Sequence, residues 1–331
     1  MRVMFVTPGG ARGCSMIFAR RQGQTLRAIG VEVCEFYLGS RTSPIAMARE
    51  MRRFLQEKRT FRPDVVHAQF GTATAMFAAL GAGITPLVIT YRGSDLNRPP
   101  EGGPRAATAR ILSQIAALRA RCIVCVSARL LERLWWRKSR VTVMPSGVDT
   151  GVFRPRPRSP ARQRLGWPAA DPAVLFNAGT DPRVKRADLA RAAVAAGRAE
   201  LPRLRLQMLD GTTPPERVPE LMNAADCLLV TSDQEGSPTV VQEALASNLP
   251  IVSVDVGDVR ERLSGVSNTR VVARDPAALG RAIVELVREP RRSDGVLKVQ
   301  EFCSTRIAKK LLEIYGHAVL DRSQPWNTSR S

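Results

Sequence analysis

The sequence is poor in several residue types, and each scarcity closes off a class of function. Histidine occurs twice in 331 residues, at His67 and His317, and the six cysteines follow no framework spacing. Only Cys122 and Cys125 form a C-x-x-C, inside the apolar run "CIVCVS", with no second pair or histidine cluster to complete a zinc or redox centre. They are expected to be buried thiols. No Asp-x-Asp pair is present, and neither a metal nor a cofactor is expected. Aromatic residues make up 5% and form no stacking platform, which argues against nucleic acid as a partner. No apolar run reaches the length that spans a bilayer. The opening "MRVMFVTPGG" lacks the apolar core and cleavage site of a signal peptide, so a cytoplasmic protein is expected.

Acidic residues are outnumbered. Fifty Lys and Arg against thirty Asp and Glu leave a net charge of +20, of which residues 1–150 carry +14. Such an excess fits an anionic partner for the first half, or an arginine-rich solvated surface. Two basic stretches, "AMAREMRRFLQEKR" and "ERLWWRKSR" with Trp135 and Trp136, read either as packed helix or as membrane-interface elements. Peripheral contact with the inner face of the cell membrane therefore stays open.

Hydrophobic residues reach 44%, enough for real cores. Short apolar runs alternate with longer amphipathic ones. "RVMFV", "VEVCEFYL", "PDVVHAQ", "PLVITYRGSD", "CIVCVS" and "VTVMPSGVD" read as strands with helices between them. "FRPRPRSPARQRLGWPAADPA" is crowded with proline and arginine and has no period, as a linker would. The alternation then restarts with "AVLFNAG", "LRLQMLDG", "DCLLVTS" and "PIVSVDV". The expectation is an α/β protein of two Rossmann-like, doubly wound parallel-sheet domains facing across a cleft. The first covers residues 1–153, the linker 154–172 and the second domain 173–302. A C-terminal helix over 303–320 is expected to pack back on the first domain, ahead of a tail over 321–331.

One stretch carries chemistry, "SDQEGSPTVVQEALASNLPIVSVD", residues 232–255. "CLLVTS" is a buried strand, so "DQEG" is the loop at its carboxyl end. Ser237 suits a helix N-cap and Pro238 the first helical position. The first-turn N–H groups of Thr239, Val240 and Val241 then lack helical partners and favour an anion, most simply a phosphate. Glu235 precedes that point and Glu243 lies about 7–8 Å further along the helix axis. Two carboxylates bracketing a diphosphate, each accepting from hydroxyl pairs, suit a nucleotide sugar.

This stretch resembles the glutamate-x7-glutamate motif of retaining glycosyltransferases with the GT-B fold, family 4 (glycosyl transferases group 1). "MPSGVDTGVFRP", residues 144–155, is similar to the family's hinge signature, "AGTDPRVKRADLA" to the segment after the first strand of its donor domain, and "VTPGGARG" to its first glycine turn. The resemblance implies a first domain that binds the acceptor and a second that binds a nucleotide-sugar donor, UDP- or GDP-linked as first choice. It implies transfer to a polysaccharide or lipid-linked acceptor with retention of anomeric configuration and without a metal. Glu235 would contact the donor sugar, Glu243 the ribose and Lys185 the diphosphate. Gly236, Ser237, Pro238, Thr239 and Val240 would cradle the phosphates. The arginine that usually follows the glycine is Thr180 here, which makes Arg183 the candidate second cation. Gly9 and Gly10 would line the acceptor side. Where the family has "HGSD" this chain has "YRGSD", so Arg92 stands beside Glu235 and Lys185 as a candidate catalytic residue, able to bind an oxygen anion but not to act as a base. His67 is a candidate for the missing histidine's work, and Asp95 for holding the acceptor or steadying the loop. Two other readings remain: an epimerase or phosphorylase on the same fold, and a catalytically altered relative that binds membranes or anionic ligands.

Overall fold

A computed structural model describes residues 1–10, 16–40, 43–97, 103–179 and 181–320. Cys14, Thr180 and the tail expected over 321–331 lie outside the described residues. The chain divides into two units: Met1–Gly147 together with the segment from Ser304 onward, and Val148–Cys303.

The first unit begins with β1 (Arg2–Pro8), α1 (Ile17–Ala28), β2 (Glu32–Leu38), α2 (Pro44–Phe61) and β3 (Val65–Ala68). It continues with α3 (Thr72–Gly81), β4 (Leu87–Tyr91), α4 (Pro104–Arg119), β5 (Cys122–Cys125), α5 (Ala128–Glu132) and β6 (Val141–Val143). The strands form one parallel sheet in the order β2-β1-β3-β4-β5-β6. β3, β4 and β5 are buried along their whole length, which is why they read as unbroken apolar runs. Cys122 and Cys125 are buried thiols on β5. α2 starts where Ser43 accepts the Ala46 N–H at 3.3 Å with Pro44 behind it. Its apolar side turns inward: Phe54 meets Phe36 and Phe77 at ring distances of 5.2 and 5.4 Å, and Met47, Met51 and Leu55 pack on the same core.

The second unit runs through α6 (Arg158–Leu165), β7 (Ala173–Gly179), α7 (Ala187–Gly197), β8 (Arg205–Asp210), α8 (Val218–Ala224) and β9 (Cys227–Val230). It ends with α9 (Thr239–Ala246), β10 (Ile251–Val254), α10 (Val259–Leu263), β11 (Thr269–Val272), α11 (Pro276–Arg288) and α12 (Gly295–Val299). Its parallel sheet has the order β11-β10-β9-β7-β8. A last helix, α13 (Ser304–Leu320), belongs to the first unit and packs on α1, β3 and β4 through Ile307, Leu311, Ile314 and Tyr315. Each unit is thus a doubly wound α/β sheet of the Rossmann-like kind. Strand order reverses between β1 and β3, and again between β7 and β9, and ligands of such sheets bind beyond the strand ends at that reversal.

Residues 154–172 are the stretch expected as a linker. They belong to the second unit, because α6 is fastened there by the buried Arg162. Its guanidinium donates to the carbonyls of Ala224, Pro168, Ala169 and Asp171 at 2.8–3.0 Å and pairs with Asp226 at 2.6 Å. The short α10 and β11 were also absent from the sequence reading. Among the described residues, no helix is long and apolar enough to cross a membrane.

Candidate functional site

Two loops meet at the β7/β9 reversal. The first leaves β7 at Gly179, whose φ of +56° would strain any residue with a side chain. Asn177 Oδ1 accepts the Gly179 N–H at 3.0 Å, and Asp181 accepts the N–H groups of Arg183 and Val184 at 3.2 and 3.4 Å. That turn aims Lys185 at the second loop, the one that follows β9. Lys185 Nζ lies 2.5 Å from Glu235 Oε1, and Ser232 Oγ donates to the same oxygen at 2.8 Å. The loops are laced elsewhere too. Thr231 Oγ1 donates to the carbonyls of Lys185 and Arg186 at 2.8 and 3.0 Å, and the Asp233 N–H to Val184 O at 3.0 Å. Arg186 and Arg274 converge on Asp233 at 3.3 and 3.0 Å, and Arg274 also holds the carbonyls of Thr231 and Ser232. Arg186, Arg274 and Asp233 were missed in the sequence. Arg186 also pairs with the nearby Asp188 at 2.8 Å, but the contacts of Arg186 and Arg274 with Asp233 span more than forty residues, and no local pattern marks them.

The helix start differs from expectation. α9 begins at Thr239 with Pro238 in the N-cap position, not at Pro238 with Ser237 as cap. The physical reason is a stronger, remote partner: Ser237 Oγ donates to the buried Asp258 at 2.8 Å and accepts from Gln242 at 3.1 Å. Arg262 pairs with the same carboxylate at 2.9 Å, while burial pushes the Asp258 carboxyl above its ordinary value. The Val241 N–H turns back to Pro238 O at 3.1 Å, so the expected anion site shrinks to the turn around Thr239 and Val240. Gly236 is buried under Gly257, Glu243 sits half-buried in the second turn of α9, and Arg183 is exposed on its loop.

The candidates of the first unit gather at the β1/β3 reversal. Gly9 follows β1 with φ +93° and donates to Leu38 O at 3.1 Å, and Gly10 comes next with open space around it. Asp95 is buried and accepts the N–H groups of Gly71, Arg92 and Gly93 at 2.8–3.0 Å. These bonds let it steady the loop, the second of the two roles expected of it. Burial raises its carboxyl while those hydrogen bonds pull the other way. Arg92 braces its surroundings: it donates to Gln69 O and Ser146 Oγ, each at 2.9 Å, and to Gln69 Oε1, and stacks over Phe18 at 4.2 Å. Burial brings its guanidinium down to about 10. His67, the candidate for the missing histidine's work, lies on β3. It is wholly buried between Tyr315 Oη at 2.6 Å and Thr90 Oγ1 at 2.7 Å, and burial, helped by Arg92, holds it well below the usual imidazole value. Among the described residues no group of three or more His, Cys, Asp or Glu is placed to hold a metal.

Residues 10–152 match the model for Glycosyltransferase Family 4, and residues 169–289 the model for Glycosyl transferases group 1. A D-inositol 3-phosphate glycosyltransferase of Thermobispora bispora is 29% identical over 235 residues, 59% of this chain and 55% of that protein. The chain spans about half the length of such curated relatives. Sucrose-phosphate synthase from Thermosynechococcus elongatus superposes with a TM-score of 0.76 at 18% identity, covering 96% of this chain and 98% of that one. Anabaena HepE, solved in complex with UDP-glucose, gives 0.73 at 17% identity, covering 96% and 99%. Each part of the chain thus matches a glycosyltransferase family model, family 4 on residues 10–152 and group 1 on residues 169–289, and the fold is GT-B.

Proposed function

We propose that this protein transfers a sugar from a nucleotide-sugar donor to a glycan or lipid-linked acceptor, with retention of anomeric configuration. The observation that carries the reading is the contact of Lys185 with Glu235 at the carboxyl ends of β7 and β9, directly ahead of the Gly236–Val240 turn. Lys185 and Arg183 would meet the growing negative charge of the departing diphosphate. The Thr239 and Val240 amides would hold its oxygens, Glu243 the ribose hydroxyls, and Glu235 the sugar at its reacting face. In the transfer, the acceptor oxygen forms its bond to the anomeric carbon on the face from which diphosphate leaves. The carbon–oxygen bond to diphosphate breaks with its electrons on phosphate, and the hydroxyl proton passes to that leaving oxygen. The UDP-glucose complex of HepE supports a uridine nucleotide, with GDP the alternative.

The test is Glu235→Gln, assayed with labelled UDP- and GDP-sugars. Turnover should fall by at least about 10²–10³ with the fold intact; unchanged turnover would sink the assignment. One observation favours a second reading, a catalytically altered relative that only binds: the described hydrogen bonds of Arg92 serve Gln69 and Ser146. That reading predicts nucleotide binding without sugar transfer in the wild type.

A further inference from the structure

We infer that the outer face of α4, with the Trp135 turn beside it, is a docking surface for the anionic headgroups of a lipid bilayer. The α4 residues Ile111, Ile115 and Leu118 recur at helical spacing, yet each is 43–45% exposed, on a helix whose opposite side buries Ser113, Gln114, Ala116 and Ala117. Hydrogen bonds gather further apolar residues around them. The Trp135 N–H donates to Gln114 Oε1 at 3.0 Å and Trp136 Nε1 to Gln114 O at 2.5 Å, which ties the turn of the half-exposed Trp135 to α4. Arg119 donates to Gly83 O and so brings the fully exposed Ile84 to the end of α4. Arg137 closes the other flank by donating to Leu118 O at 3.0 Å.

The segment that carries α4 and the Trp135 turn is strongly basic. Residues 103–140 contain nine arginines and lysines and a single acid, Glu132. The described hydrogen bonds of Arg119, Arg137 and Lys138 end on main-chain carbonyls, so they leave the positive charge in place for a partner. Exposed aliphatic side chains and a tryptophan on an arginine-rich segment match a bilayer interface, where chains enter the acyl boundary while cations meet phosphates. Nucleic acid would be met by stacking rings rather than by isoleucine and leucine. A second copy of the chain would bring the same positive charge against itself. α2, the other basic helix, is a weaker candidate because Phe54, Met47, Met51 and Leu55 are spent on the core.

This surface goes beyond the transfer reading and stands without it, since binding is measured with no turnover. The test is flotation of the full chain with phosphatidylcholine vesicles, with and without phosphatidylglycerol. Binding should require the anionic lipid, weaken with salt, and fall more than about tenfold in the triple variant Ile111→Ser, Ile115→Ser, Trp135→Ser. Arg137→Glu with Lys138→Glu should weaken it about tenfold as well, and that pair leaves every apolar contact in place. Ile45→Ser on α2 should change nothing. No binding to anionic vesicles at low salt would overturn the inference. So would vesicle binding that survives both variants, or equal binding to a random DNA duplex that is lost in the triple variant.

Discussion

Gly257→Ala reaches the site from a residue that no motif names. Gly257 has φ +57°, and a methyl group there would meet Gly236 O at 2.9 Å, Glu235 Cβ at 3.1 Å and Gly236 C at 3.3 Å. The left-handed backbone costs an alanine about 1 kcal/mol. Crowding against main-chain atoms that cannot rotate aside adds roughly 1–3 kcal/mol. The sum, about 2–4 kcal/mol, is a large part of a domain's typical 5–15 kcal/mol. The strain can instead be relieved by moving the Glu235–Gly236 loop. Glu235 then leaves Lys185 and Ser232, now 2.5 and 2.8 Å from its Oε1, and nucleotide affinity and turnover fall while stability recovers. Urea unfolding and nucleotide titration of the same variant therefore read two branches of one effect. Unfolding within about 0.5 kcal/mol of wild type together with unchanged nucleotide affinity would refute the reasoning.

Arg162→Met should destabilise the second unit by about 1–3 kcal/mol, read from denaturant unfolding, because it removes the buried partner of Asp226, which keeps Arg158 at 2.7 Å, and the donor that four carbonyls share; a loss under about 0.5 kcal/mol would show that α6 is not fastened as described. His67 is held below its unfolded value of 6.5, so its contribution to stability is present above that pH and is lost as pH falls below it, with a slope approaching about 1.4 kcal/mol per pH unit. The groups facing it are Tyr315, Thr90, Gln69 and Arg92, and His67→Gln should flatten the acid limb of the melting-temperature profile relative to wild type.

The sheets were largely legible in the sequence because parallel strands buried on both faces announce themselves as short apolar runs. "DVVHA", "CIVC" and "CLLV" are of that kind. α6 was hidden by its prolines and arginines, since Arg162 looks like solvent-facing charge until Asp226, 64 residues on, is folded against it. β11 carries Arg270 in a four-residue run and α10 is five residues long, both too short for a period to show. At the site, local chemistry placed a cap at Ser237, and a remote carboxylate, Asp258, overrode it. His67 was read from its place at a strand end, whereas its burial depends on Tyr315, 248 residues away. The glutamates stood out by their spacing and Lys185 by the family resemblance, but the ties of Arg186 and Arg274 to Asp233 exist only in three dimensions.

The most direct measurement is a thermal-shift panel of UDP, GDP, ADP, CMP and dTDP on the wild type and on Glu243→Ala. A donor site on the second unit predicts a rise of several degrees with one nucleotide at about a hundredfold excess over its Kd, lost in the variant. No rise with any of the five would contradict a nucleotide-sugar site at Lys185, Glu235 and Glu243.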